Sequence, residues 1–100
     1  MLDKSYIQFL GTLGNENRIE ILLALKKRKM NVSELISELK MQQTTISHNL
    51  KRLQICGFVT VEQKGKFREY SVNKETIKPL IELIEKHMIS PFPQKFKTVL

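Results

Sequence analysis

Gln43, Thr44, Ser47 and His48 place four hydrogen-bonding side chains within six residues. Ile46, Leu50 and Leu53, spaced four and three, give the same stretch the apolar stripe of a helix from about Gln43 to Ile55. With that stripe turned to a core, the four polar groups and Lys51 face outward. Such groups suit the edges of bases in duplex DNA: glutamine engages adenine through N6 and N7, and threonine contacts the thymine methyl. Lys51 and Arg52, further along, suit phosphate oxygens, which position a protein without specifying a sequence. A second cationic cluster, Lys64, Lys66 and Arg68, surrounds Gly65 and suits the nucleic-acid backbone. On an isolated helix or turn, all of these residues would read as ordinary solvated surface. Their setting decides between the two readings.

Other chemistry finds little support. His48 and His87 are the only histidines, and no Ser-His-Asp, Cys-His or paired-carboxylate arrangement is visible. Nor is there a Gly-rich phosphate loop, so the sequence reads as that of a protein that is not an enzyme. The single cysteine, Cys56, rules out an intramolecular disulfide and a zinc site built on several thiolates. No cofactor is expected.

The chain has 100 residues, 41% of them hydrophobic, which suits one domain with a modest core. Its formal charge of +7 favours a polyanionic partner, because each cation that neutralises a phosphate releases a condensed counterion. The start, Met1-Leu2-Asp3-Lys4, lacks the charged and apolar regions of a secretory signal. No apolar run approaches the roughly 20 residues that span a bilayer. A cytoplasmic protein with no membrane partner is expected.

The elements follow from periodicity and caps. Ile7, Leu10 and Leu13 predict a short helix over residues 3–13, its last turn weakened by Gly11 and Gly14. Asn15 is a candidate N-cap for a helix through Lys27 that is apolar around much of its circumference. The run Lys26-Lys27-Arg28-Lys29 at its end suits the helix dipole as well as it suits DNA. Asn31 and Glu34 form a capping box for a third helix, bearing Leu35, Ile36 and Leu39. Lys40-Met41-Gln42 is a turn into the helix already described, and Gly57 follows that helix as a C-cap residue. Strand formers over 58–62 and 67–72 flank a polar, glycine-containing connection, which predicts a hairpin. A last helix covers roughly 75–89, beginning near Thr76 because Pro79 is tolerated only at a helix start.

The fold expected is mainly α with a β-hairpin, in the order helix, helix, helix-turn-helix, hairpin wing, helix. That is a winged helix-turn-helix, whose second motif helix enters the major groove. Residues 1–90 are taken as the DNA-binding and dimerisation domain and 91–100 as a C-terminal tail. In that setting Gln43, Thr44, Ser47 and His48 are the candidate base readers. Lys51, Arg52, Lys64, Lys66 and Arg68 are the candidate backbone contacts.

Leu13-Gly-Asn-Glu-Asn-Arg-Ile-Glu-Ile-Leu22 resembles the opening signature of the ArsR/SmtB-type winged-helix repressors. Val32-Ser-Glu-Leu35 and Thr45-Ile-Ser-His-Asn-Leu-Lys-Arg-Leu53 resemble that family's helix-turn-helix. Cys56-Gly-Phe-Val59, Lys64-Gly-Lys66 and Tyr70-Ser-Val72 resemble its helix end and wing. The resemblance spans roughly residues 8–89. It implies a homodimer paired through its first and last helices, hence through Ile7, Leu10, Leu80, Ile81, Ile84 and Met88. It further implies repression of transcription from an imperfect palindrome in double-stranded DNA. The effector is unknown.

The departures are local. Val32-Ser-Glu-Leu-Ile-Ser-Glu-Leu39 has no thiol where many of these repressors carry a cysteine metal box. The family's other ligand positions fall at Lys74, Thr76, His87 and Ser90, of which only His87 is a competent ligand. No metal site is expected, and His87 reads as a structural or dimer-interface residue. Cys56 stands where the family has a small packing residue and reads as a buried thiol rather than a redox switch. Lys40 occupies a turn position where glycine is usual, and Gln42 an N-cap position where serine is usual. The tail residues Phe92 and Phe96 are candidates for packing across a dimer partner. The rival to a regulator is a winged helix used only as a protein-interaction module within a larger assembly.

Overall fold

Three asparagine and aspartate side chains start the first three helices. A computed structural model describes residues 3–89. Asp3 accepts the Ser5 amide and begins α1, Lys4–Leu13. Asn15 accepts the Arg18 amide and begins α2, Glu16–Lys27. Asn31 and Glu34 close the expected capping box at α3, Val32–Leu39, with bonds of 2.8 and 2.9 Å. α4, Gln43–Ile55, begins at Gln42, whose side chain makes no capping bond. Gly57, at φ +76°, takes the left-handed position just past α4. α5, Ile77–Met88, follows an Asn73 turn in which Oδ1 accepts the amides of Glu75 and Thr76. Pro79 sits at its third residue, where its ring meets no helical carbonyl.

β1, Val59–Lys64, pairs antiparallel with β2, Phe67–Val72, in a register running from Val59↔Val72 to Lys64↔Phe67. Only Gly65 and Lys66 lie between them, so the connection is shorter than the four-residue turn expected. Gly65 has φ +61° and Lys66 a negative φ, the pattern of a type II′ hairpin. Met30 exchanges two backbone bonds with Tyr70, of 3.1 and 2.8 Å, which pins the hairpin to the α2–α3 connection. The order is that of a winged helix-turn-helix, as expected.

The core lies among α2, α3, α4, the hairpin base and α5. Ile21, Leu22 and Leu25 of α2 meet Leu35 of α3 and Ile46, Leu50 and Leu53 of α4. Phe58, Val59, Tyr70 and Val72 close it from the hairpin, and Ile77 and Ile81 from α5. α1 contributes little: Thr12 is its one buried residue, and Ile7 and Leu10 are 57% and 59% exposed. Phe9 holds α1 down by stacking on Phe58, ring centroids 4.8 Å apart.

Two expectations need correction. Ile81 is 5% exposed and belongs to the core rather than to a surface open to a partner. The apolar stripe of α5 is wider than one face, and Ile77 and Ile81, four apart, take its inner side. Leu83 and Ile84 are the exposed members. Cys56, expected buried, is exposed at the C-cap of α4. The tail with Phe92 and Phe96, and Ser90, lie outside the described residues.

The turn between α3 and α4 carries both local departures. Lys40 adopts φ 55°, ψ 40°, a left-handed conformation that costs a side-chain-bearing residue about 1–2 kcal/mol. Two residues later, α4 starts without a side-chain cap. Gln42→Ser is expected to add that cap and stabilise the fold by about 0.5–1 kcal/mol, read from urea unfolding. An unchanged midpoint would show the amides already satisfied.

The α3 capping box makes a second prediction. The Asn31 backbone N–H and the Arg28 guanidinium hold the Glu34 carboxyl below its ordinary value of 4.5. A lowered folded value means that the ionised group stabilises the fold above pH 4.5, and that this is lost as pH falls through the folded value. Glu34→Gln keeps a capping side chain and removes the charge. Its melting temperature should lie below that of the parent at pH 7, and the gap should close below pH 4. A gap constant with pH would remove the charge from the account.

Candidate nucleic-acid interface

α4 divides cleanly around its circumference. Ile46, Asn49, Leu50 and Leu53 are buried, and Gln43, Thr44, Ser47, His48 and Lys51 are exposed. Thr44, Ser47, His48 and Lys51 recur at spacings of three and four, so they line one outward strip, with Gln43 at its N-terminal edge. Gln43, Thr44, Ser47, His48 and Lys51 make no side-chain hydrogen bond within the described chain, so their donors and acceptors are available. Ile55 ends the same strip, 73% exposed, and sequence reasoning passed over it.

Arg52 belongs elsewhere. It shares a flank with Asn49 and Thr45, three and seven residues back. Its Nε donates to the Thr12 hydroxyl at 3.4 Å, across the junction with α1. Arg52 therefore stands beside the exposed polar strip rather than in it.

That junction contains the residues the sequence reading missed. Arg18, in the first turn of α2, donates from Nε to the Thr12 carbonyl at 2.7 Å and from one terminal nitrogen to the Gly11 carbonyl at 3.2 Å. Its other terminal nitrogen reaches the side-chain oxygen of Asn49 at 3.3 Å. Asn49, 7% exposed, donates in turn to the Thr45 carbonyl at 2.8 Å. The Thr12 hydroxyl donates to the Gln8 carbonyl at 2.8 Å and lies 3.6 Å from the Cys56 sulfur. One guanidinium thus joins the end of α1 to the middle of α4. The signal was present in the sequence: an amide at a stripe position between Ile46 and Leu53 calls for a buried partner.

The hairpin distributes its cations over both faces. Antiparallel partners share a face, and alternate residues along a strand change face. Lys64 lies with Glu62, Glu69 and Phe67 on one side. Arg68 lies with Gln63, Tyr70 and Val72 on the other, the side that packs on the helices. Lys66 is at the tip, its ammonium 5.7 Å from the centre of the Phe67 ring. The expected cationic cluster is therefore not one patch.

Lys64 is also engaged. Its ammonium lies 2.9 Å from the Glu62 carboxylate, and both groups are exposed. That hydrogen bond and its charge hold Glu62 below the usual carboxylate range and raise Lys64 above the usual ammonium range. Glu62 stands directly opposite Glu69, an unfavourable like-charge pair that Lys64 relieves.

The basic run ending α2 is similarly taken up. Lys26 lies 2.6 Å from Glu85 of α5, and Arg28 lies 3.0 Å from Glu34. The Glu85 hydrogen bond raises Lys26 above its ordinary value. Among the described residues, no three His, Cys, Asp or Glu side chains converge as metal ligands would. His87 is exposed in the last turn of α5.

Comparison with known proteins agrees with this geometry. Residues 15–61 match the family model described as bacterial regulatory protein, arsR family. The chain is 30% identical over 79 residues to the arsenical resistance operon repressor of Bacillus subtilis, covering 78% of this chain and 75% of the relative. It is 29% identical over 80 residues to the transcriptional activator HlyU of Vibrio cholerae, covering 80% and 74%. A homodimeric winged helix-turn-helix DNA-binding domain from Mycobacterium bovis, solved in solution, superposes with a TM-score of 0.76 at 26% identity, over 82% of this chain and 76% of that one.

Proposed function

The chain belongs to the ArsR family of winged helix-turn-helix transcriptional regulators, and from that premise we propose that it is a homodimeric repressor that reads an imperfect palindrome with α4. The observation that carries this reading is the bare polar strip of α4. Five adjacent side chains with hydrogen-bonding groups have no side-chain hydrogen bond among the described residues, on a helix whose other face is locked in the core. Gln43, Thr44, Ser47 and His48 read base edges. Lys51 and the tip residue Lys66 meet phosphates. Arg68 and, after release from Glu62, Lys64 follow the backbone. Arg52 is a phosphate contact only at the flank of the strip.

The surfaces of α1 and α5 support pairing. Tyr6, Ile7 and Leu10 on one, and Leu83 and Ile84 on the other, are large apolar side chains exposed to solvent. Exposed apolar groups collected on neighbouring elements mark an interaction surface. An apolar cleft of about 290 Å³ between α2 and α5, lined by Leu13, Leu23, Ile84 and Met88, continues it. Leu80 and Met88 of α5 are half-buried. Repression follows by occlusion, a dimer seated over a promoter keeping polymerase from it; the Bacillus subtilis relative is named a repressor. The site of action is the cytoplasm. Among the described residues, no helix is long and apolar enough to cross a membrane.

The test is titration of a fluorescent duplex from upstream of the protein's own gene, beside a scrambled duplex, at two salt concentrations. Tight, salt-sensitive preference for the native duplex is expected. No binding at low salt would leave the protein-interaction module as the account. Gln43→Ala should then reduce discrimination between sequences by about 1–3 kcal/mol. Lys66→Ala should weaken all duplexes alike and flatten the salt slope by about one. If Gln43→Ala weakens every duplex equally, α4 is not the reader.

The ion pair on the wing generates the opposite prediction. Glu62→Gln frees Lys64 and removes the charge opposed to Glu69. Binding to every duplex should tighten, with a steeper dependence on salt. A variant that binds no better would place that wing face away from DNA.

A further inference from the structure

We propose that Arg18 and Asn49 form the joint that sets the tilt of α4 against the dimer-forming helices, and so determine the half-site spacing the protein accepts. The inference rests on the reading of α4 as the base-reading helix of a homodimer.

The joint is built from a rigid plane. A guanidinium presents its donors in a fixed fork, and three are occupied here by acceptors on two helices. Two acceptors are carbonyls in the last turn of α1, which have no partner within that helix. The third is the Asn49 side chain, itself fastened to the Thr45 carbonyl of α4. α1 carries Ile7 and Leu10 on its exposed face, and α4 carries the readers on its own. Arg18 is therefore a direct mechanical link between the helix that meets the partner and the helix that meets DNA.

The apolar contacts of α4 cannot do this alone. Ile46, Leu50 and Leu53 hold it to the core, but apolar burial is non-directional and tolerates a small roll or tilt. Hydrogen bonds lose strength within a few tenths of an ångström. Gln43 lies six residues from Asn49, roughly 9 Å along the helix axis. A tilt of about 10° at Asn49 moves Gln43 by roughly 1.5 Å, enough to break a base contact. In a two-fold dimer the partner moves by the same amount in the opposite sense. Where the tilt lies along the duplex, the two readers change separation by about 3 Å, close to the ~3.4 Å of one base-pair step. A loosened joint would thus blur spacing by about one base pair and leave each half-site legible.

The experiment selects the preferred duplex of the unmodified protein from a random library. It then lengthens and shortens the gap between half-sites by one base pair. The unmodified protein should lose affinity tenfold or more with either change. Arg18→Lys keeps a cation and removes the fork. Asn49→Leu replaces the buried amide with an apolar side chain of similar size, and decides the matter if Arg18→Lys does not fold. In folded, dimeric variants, by circular dichroism and sedimentation, affinities across the three spacings should fall within threefold of one another. Discrimination among bases inside one half-site should persist. Asn49→Asp, which keeps an acceptor for Arg18 and loses only the donor to the Thr45 carbonyl, should keep a sharper profile than Asn49→Leu. A folded variant that keeps the tenfold spacing penalty, whatever its melting temperature, overturns the inference and leaves the dimeric reading intact. If the unmodified protein shows no spacing preference, both fall together.

Discussion

A helix that reads DNA must be gripped firmly on one side and left bare on the other. As the proposed reader, α4 has thirteen residues in which to satisfy both demands. Four buried positions provide the grip, and one of them, Asn49, is polar. Burying an amide without a partner costs about 1–3 kcal/mol, so Asn49 is tolerable only because Arg18 and Thr45 meet it. Arg18 in turn needs acceptors, and it finds two among the terminal carbonyls of α1. Each unsatisfied group answers another. The placement of α1, which has only Thr12 buried, follows largely from this exchange and from the Phe9–Phe58 stack.

The same economy explains the exposed apolar surface. A 100-residue chain has a small core, and α2, α3, α4, the hairpin base and two residues of α5 fill it. Nothing in the described chain remains to cover Tyr6, Ile7, Leu10, Leu83 and Ile84. Burying one such side chain stabilises by about 1.5–3 kcal/mol. A symmetric pair would contribute two sets of these half-exposed side chains, a gain of the same order as an association cost of about 4–15 kcal/mol. The half of α5 that faces the core and the half that faces outward therefore have different roles. Ile77 and Ile81 complete the monomer, and Leu83 and Ile84 suit a second copy.

The elements were legible in the sequence because their signals are local. Asn15, Asn31, Gly57, Gly65 and Pro79 each constrain one backbone position, and each does so where expected. The outward strip of α4 was legible as well, since three apolar residues at helical spacing fix the opposite face. What escaped depends on contacts far apart in the chain. Arg18 meets Asn49 across 31 residues, and no periodicity reports such a pair. Ile81 was assigned to a partner because a stripe on α5 does not say which of its sides the monomer uses. Cys56 read as buried because it stands where the family has a small packing residue, yet the helix ends there and leaves the residue exposed.

The wing shows why net charge is legible as a sign but not as a count. Counterion release depends on the number of phosphates neutralised, not on the formal charge of the protein. Lys64 and Lys66 stand two residues apart and look equivalent in the sequence. Register separates them. Strand alternation puts Glu62 beside Lys64, and the carboxylate already holds its ammonium at 2.9 Å. A phosphate that engages Lys64 must displace Glu62 and leave it facing Glu69. The net release is smaller than for Lys66, which has no carboxylate partner among the described residues and lies at the tip. Exposed ion pairs are worth little to stability, so this one matters less to the fold than to affinity. On the proposed reading it moderates the pull of nonspecific DNA on a strongly basic chain. Specificity then falls to a helix that carries polar groups and one lysine on its free face.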